Sequence, residues 1–321
     1  MDPARLSDAL SAAAHTLAVD QVTAEVVTAL RARDIEGLLL KGPTFAHWLY
    51  PSETLRPYAD TDLLVAPRDQ DAAAGVLESL GFADPMATAL AHERDDHSRT
   101  YHRSVDGAAD AEVDLHFTLA GCRATAEVVW SALARDAVPF EVAGTQVTAL
   151  SVTARALVVV LHAAHDGGAS GRPAEDLDRA LALTDLPEWR KAAALAAKVD
   201  ALAAFAAGLG RTAAGRDLLD ALGVAPAANT YEVLRASTPP PMSLGIARLL
   251  DRPDARGLGR ELLREIVPTR AFMRVWSPMA RRGRAGLLAA YVWRPFSLVI
   301  RLGPAARAYL RARRRSGRWR G

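Results

Sequence analysis

Lysine and cysteine are nearly missing from this 321-residue chain, which has three lysines, Lys41, Lys191 and Lys198, and one cysteine, Cys122. A single cysteine excludes an internal disulfide and a cysteine-rich metal centre, and it suits a reducing, cytoplasmic setting. Aromatic residues make up only 6% against 50% hydrophobic, with Ala, Leu and Arg recurring throughout. That balance predicts a helix-rich, soluble protein. A long unbroken apolar run is missing too. The longest stretch, Ala285 to Ile300, is interrupted by Arg294-Pro295 and is too short to predict a transmembrane segment, which leaves a role at a membrane surface open. Met1 to Leu10 has no basic segment followed by an apolar core, so no signal peptide is expected. The net charge of +2 does not by itself point to nucleic acid, although acidic residues dominate early and arginines dominate the end. The length allows one large or two moderate domains.

The scarcity of lysine draws attention to residues 37–65. The apolar run Leu38-Leu39-Leu40 leads into Lys41-Gly42-Pro43-Thr44, then Arg56, then Asp60-Thr61-Asp62 ahead of a second apolar run, Leu63-Leu64-Val65. A compact ammonium beside a glycine that lets the backbone come close suits a phosphate. On a strand starting near Asp60, Asp60 and Asp62 project from one face. Two neighbouring carboxylates are unfavourable unless a cation neutralises them, and Mg²⁺ held together with substrate phosphates suits such a pair. Read otherwise, they flank a turn. Phe45, Trp48 and Leu49 predict a short helix over 44–50, whose start beside Gly42 and Thr44 offers N–H groups to a triphosphate.

A second strand is predicted over 111–119, where Glu112, Asp114 and His116 share one face and Val113, Leu115 and Phe117 the other. The polar stretch before it carries His92, His97 and His102. Their spacing fits no compact zinc pattern and reads as a solvated hairpin with substrate contacts.

These residues resemble the nucleotidyltransferases of the polymerase-beta superfamily, and most closely the bacterial group described as uncharacterised nucleotidyltransferases. Members of that group read LLKG, then R-P, then D-x-DLLV, matching Leu39 to Gly42, Arg56-Pro57 and Asp60 to Val65. The stretch is more distantly similar to the AbiEii/MenT-type toxin nucleotidyltransferases, which carry KG-x-T, an Arg and D-x-D. Lys41-Gly42-Pro43 stands where the superfamily more often has a Gly-Ser turn. The resemblance implies an α+β fold: a polymerase-beta-like core, a mixed sheet with flanking helices, plus a helical C-terminal domain. It also implies Mg²⁺-dependent transfer of a nucleotidyl group from a nucleoside triphosphate such as ATP to a hydroxyl of a small molecule, peptide or glycan intermediate. A toxin-like tRNA nucleotidyltransferase and a non-catalytic nucleotide-binding protein are the alternatives.

Two-metal transfer holds the triphosphate on one ion and activates the acceptor hydroxyl with another, so a third carboxylate is expected on a neighbouring strand. Asp114 is the candidate, and the family's D-L-H at the matching place agrees. Asp60, Asp62 and Asp114 are thus the expected catalytic metal ligands, with Glu112 as the alternative third ligand if the register shifts by two. Lys41, Gly42, Thr44, Arg56, His116 and His162 are expected to bind nucleotide, Lys41 and Arg56 by offsetting phosphate charge. His116 would orient a carboxylate, contact substrate or be structural.

Residues 1–150 are expected to form the catalytic core, with helices over 6–33, 71–80 and 124–137 and a hairpin turned at Ala143-Gly144. Residues 151–321 are expected to form the helical domain, opened by a helix capped at Ser151-Val152-Thr153 and carrying His162 and His165 on one face. These histidines pack in the core and end the helix, or they serve as base or metal ligands. The family has a helix with His and then a helix with Asp, here Asp176 or Asp178, which bracket the nucleotide or hold the helices together. A proline-rich linker spans Thr238 to Pro241, and further helices are expected over 244–250 and 258–266. The ending sets Arg311, Arg313, Arg314, Arg315, Arg318 and Arg320 around Trp319, a tail that grips RNA, meets an anionic membrane or is simply solvated.

Overall fold

The apolar runs around Leu39 and Leu64 form the centre of a six-stranded mixed sheet, buried on both faces. In the computed structural model, residues 3–51, 56–89, 97–104, 111–165, 171–225, 230–235, 240, 242–250 and 268–318 are described. The strands are β1 (Gly37–Leu39), β2 (Thr61–Val65), β3 (Ser98–Arg103), β4 (Ala111–His116), β5 (Val138–Val142) and β6 (Thr145–Ala149). Their order is β3-β4-β2-β1-β6-β5. β1 runs antiparallel to β2 and parallel to β6, β2 runs parallel to β4, and β3 and β5 close the edges as antiparallel partners of β4 and β6. The β5–β6 turn falls at Ala143 and Gly144, both at positive φ (47° and 75°), which suits a two-residue hairpin.

The period of two sorts the side chains into two layers. Leu39, Leu63, Val65, Val113 and Leu115 point to one face, packed under Val26 and Leu30 of α1 (Pro3–Arg31) and Leu77 of α3 (Gln70–Ser79). Leu38, Leu40 and Leu64 point to the other, against α2 (Pro43–Leu49), α4 (Ala126–Ala134) and α5 (Val152–His165). The Ser151 hydroxyl accepts a hydrogen bond from Ala154 N–H at the start of α5. Behind α5 lie α6 (Arg172–Leu183), α7 (Leu186–Lys198), α8 (Leu202–Leu209) and α9 (Ala213–Leu222). All the described strands thus precede residue 150, and α5 shares its core with the sheet.

Past residue 225 the described elements are α10 (Thr230–Arg235), α11 (Ser243–Leu250), α12 (Arg270–Trp276) and the 36-residue α13 (Gly283–Arg318). Arg294-Pro295 divides the apolar stretch but not the helix: Pro295 and Pro304 both lie inside α13. Both prolines sit on its exposed side while the opposite side packs on α10, α11 and α12, so tertiary contact overrides the local preference. Over Gly283–Arg314 this helix has the length and composition of a membrane span, where the sequence had suggested no transmembrane segment. Its inner face, with buried Arg294 and Ser297, is committed to protein contacts. His92, Thr238, Pro239, Pro241, residues 258–266, Trp319 and Arg320 lie outside the described residues.

Gly208 on α8 lies against α5, where a Cβ would come within 2.3 Å of the Val160 carbonyl oxygen and 2.7 Å of Val160 Cγ1. Gly208→Ala is therefore expected to lower stability in urea unfolding by about 1–3 kcal/mol, because two packed helices must separate.

Candidate active site

Strand register decides the site. β2 and β4 pair in parallel with Asp62 beside Asp114 and Leu64 beside His116. One pleat earlier, Asp60 and Glu112 come together, and carboxylate oxygens of Asp60, Glu112 and Asp114 lie within 4.8 Å of one another. Asp62, Asp114 and His116 form a second such group. Four carboxylates thus share one sheet face, and Asp60, Asp62 and Asp114 line a cavity of about 300 Å³ together with Lys41 and His162.

Asp62 and Asp114 are each held by neighbours. Lys41 Nζ is 3.0 Å from Asp62 Oδ1, and His116 Nε2 is 3.0 Å from the same oxygen. Burial of Asp62 would raise its pKa, yet the Lys41 ammonium and the His116 hydrogen bond outweigh that and hold the carboxyl well below its usual range. An ionised Asp62 only accepts, so His116 Nε2 donates, and the buried His116 Nδ1 has no hydrogen-bond partner among the described residues. Thr100 on β3 donates to Asp114 Oδ1 at 2.6 Å. Asp60 stands in the opposite regime. Burial first, then the charges of Asp62, Asp114 and Glu112, push it up to about 6 against the pull of Lys41. Burial and the same carboxylates raise Glu112 also, although His102 works against them.

On the α5 side, His162 and His165 face the cavity with His97, whose ring lies 5.2 Å from that of His165 and 5.8 Å from that of His116. Enclosure by protein, and next the Lys41 charge, lower His162 to about 3, so it is neutral at physiological pH.

The residues expected to bind phosphate separate into parts. Gly42 adopts φ 63° and ψ −119°, a conformation that side chains disfavour, and the Tyr58 ring closes over it at 3.5 Å from where a Cβ would stand. Thr44 is fully buried and its hydroxyl donates to Lys41 O, so it shapes the turn. Pro43 at the first position of the seven-residue α2 carries no N–H, which removes one of the donors expected there. Arg56 is not among the residues lining the carboxylate cavity. Its guanidinium is buried, 5% exposed, and forks onto Asp176 of α6, 0% exposed, with Nε to Oδ1 at 3.0 Å and Nη2 to Oδ2 at 2.5 Å. Tyr50 donates to the same carboxylate at 2.8 Å, while Asp178 is exposed. Arg56 and Asp176 tie the loop before β2 to α6. The sequence offered no sign of this partnership because the two residues are 120 positions apart. Thr100 was missed as well, although the β3–β4 hairpin register that sets it opposite Asp114 was the signal to read.

A glycine turn with lysine, carboxylates clustered on two adjacent parallel strands and a buried Arg56–Asp176 ion pair between the loop before β2 and α6 are features that suit a nucleotidyltransferase site. A family model described as uncharacterised nucleotidyltransferase matches residues 4–214, and the chain belongs to that family. No curated protein matches the sequence. Among solved structures, the chain is similar to an antigenic nucleotidyltransferase-like protein from Paracoccidioides brasiliensis, at 14% identity over 65% of this chain and 93% of that one, with a TM-score of 0.36. It is also similar to the antibiotic-resistance factor ANT(2'')-Ia, at 16% identity over 62% of this chain and 91% of that one, with a TM-score of 0.31.

Two measurements follow from these contacts. Asp60 has its folded pKa raised from 3.8 to about 6, so the stability it contributes is fully present below pH 3.8 and lost as pH rises through about 6. Asp60→Asn is expected to be more stable than the parent protein at pH 8 in metal-free buffer, with the gap closing at pH 4. Asp176→Ala leaves the Arg56 charge buried alone and is expected to cost about 3–5 kcal/mol in urea unfolding. Arg56→Met/Asp176→Leu is expected to recover most of that loss.

Proposed function

We propose that this chain transfers a nucleoside monophosphate from a nucleoside triphosphate to a hydroxyl of a small-molecule, peptide or glycan acceptor, with Mg²⁺ as cofactor. The observation that carries the reading is the crowding of Asp60, Asp62, Glu112 and Asp114 on one face beside Lys41. The donor set, carboxylate oxygens within 4.8 Å of one another with one imidazole at the side, fits a hard divalent cation. Asp60, Asp62 and Asp114 would hold Mg²⁺, which when bound supplies charge neutralisation for the triphosphate and a lowered pKa for the acceptor hydroxyl.

The chain's own residues divide the remaining work. Lys41 meets the phosphates, and the positive-φ turn at Gly42 sets the backbone from which it reaches them. His116 holds Asp62, and Thr100 holds Asp114, so both carboxylates keep one rotamer while the substrate changes charge. In-line displacement at the α-phosphorus puts the entering and leaving oxygens on opposite sides. With Lys41 at the β1 edge, pyrophosphate departs there and the acceptor hydroxyl enters from the β4–β3 edge. A neighbouring cavity of about 490 Å³ opens at that edge, sharing Ser98 and Thr100 with the first and walled by Glu112, Met86, Phe272 and Trp276. Its apolar and aromatic wall suits an acceptor that carries its hydroxyl on an apolar or planar body.

The test is incubation with Mg²⁺, each nucleoside triphosphate labelled on the α-phosphate, and cell extract as the source of acceptor. Label is expected in a small-molecule, peptide or glycan fraction, with Asp62→Asn and Asp114→Asn lowering transfer about 10²-fold or more. Label in tRNA would favour the toxin-like alternative. Metal-dependent nucleotide binding with no pyrophosphate release would leave a binding protein.

A further inference from the structure

The end of the chain carries a surface that nucleotidyl transfer does not use. From residue 266 to the end there are fourteen arginines and no acidic residue, and because the whole chain is +2, the first 265 residues carry a net −12. Most of the described part of that basic segment is α13, which has two unlike faces. The inner one buries Ala290, Arg294, Ser297, Ala305 and Ala312, and Arg294 stacks over Phe272 and Trp276 of α12 at 4.8 and 5.0 Å. The outer one presents Leu288, Phe296, Val299 and Ile300 at 67%, 61%, 72% and 66% exposure, with Val292 and Trp293 between them. Residues 288, 292, 296 and 300 stand at the spacing of one helical stripe.

Arginines bracket this stripe: Arg281, Arg282 and Arg284 before it and Arg307, Arg311, Arg313 and Arg314 after it, all exposed. Between Arg284 and Arg307 the one exposed charge is Arg301, over a length of about 35 Å at the helical rise. An exposed apolar stripe with a tryptophan, flanked by cations and free of acids, is the pattern of a helix lying in a lipid–water interface. The same stripe of a second copy fits poorly, since it would bring the same positive charge against itself. RNA would satisfy the arginines and leave Leu288, Val292, Val299 and Ile300 in water. A span fits poorly as well, because the inner face, with Arg294 and Ser297, is already packed on protein.

We infer that the outer face of α13 docks on an anionic lipid bilayer, with the apolar stripe in the headgroup–acyl boundary and the arginines at both ends on lipid headgroups. The test is cosedimentation of the full chain with vesicles of phosphatidylcholine alone and of phosphatidylcholine with phosphatidylglycerol, at low and high salt. Binding is expected to the anionic vesicles, to fall with salt, and to weaken about tenfold or more in Phe296→Ser/Ile300→Ser, whose side chains are exposed and leave the fold intact. Arg311→Gln/Arg313→Gln/Arg314→Gln is expected to remove much of the salt-dependent part. Circular dichroism and unaltered nucleotide binding check that both variants stay folded. The inference is overturned if anionic vesicles leave the protein in the supernatant, or if both variants bind like the parent. It is also overturned if bound protein resists high salt and alkaline carbonate as an integral protein does, or if Phe296→Ser/Ile300→Ser converts a dimer to a monomer without changing lipid binding.

Discussion

Repulsion between carboxylates that cannot move apart is the constraint on which the rest of this structure turns. Parallel pairing of β2 with β4 fixes Asp62 beside Asp114. At about 4 Å and an effective dielectric near 20, each like-charged pair costs about 4 kcal/mol, far more than a surface ion pair returns. The fold meets that cost in two ways. Lys41 and His116 converge on one oxygen of Asp62 and keep it ionised. Asp60, with no such partner at hydrogen-bonding distance among the described residues, is raised to about 6 and holds its proton more tightly. A site that must bind a proton or a lysine to be tolerable is one that a divalent cation would relieve.

Much of this was legible in the sequence because it is local. The period of two over Asp60 to Val65 and over Glu112 to Phe117 predicted which side chains share a face, and the structure has Asp60, Asp62, Glu112 and Asp114 together on it. The Ala143-Gly144 turn, the short helix after Gly42 and the capped start of α5 were equally readable, each from residues within a few positions. Long-range partners were not. The resemblance gave Arg56 to phosphate charge, whereas its guanidinium is buried against Asp176, and nothing within twenty residues of either marks the other. Pro295 lies inside a helix that runs on through it, one side packed on α10, α11 and α12. Glu112 was visible only as a substitute for Asp114, since a single strand does not reveal that its neighbour brings both into reach of Asp60.

Arginine side chains serve as struts between elements of the molecule. Arg56 with Asp176 ties the approach to β2 to the helices behind α5, and Tyr50 completes the tie. Arg294 plays the matching part further along, holding α13 to the aromatic residues of α12 that wall the cavity beside Thr100 and Glu112. Arginine suits both places because its flat guanidinium forks onto a carboxylate or stacks on rings with little loss of freedom. The chain's preference for arginine over lysine then has a structural consequence: the lysine at position 41 is the compact point charge set against Asp62 in the carboxylate cavity.

The central claim is that this carboxylate face is a site for metal and nucleotide together. Calorimetric titration of a non-hydrolysable nucleoside triphosphate analogue, with and without Mg²⁺, into the parent protein, Asp62→Asn, Asp114→Asn and the exposed control Asp178→Asn tests it most directly. Mg²⁺-dependent binding is expected in the parent and in Asp178→Asn, with its loss in the other two. Binding of equal strength without Mg²⁺, or retained in Asp62→Asn and Asp114→Asn, would contradict it.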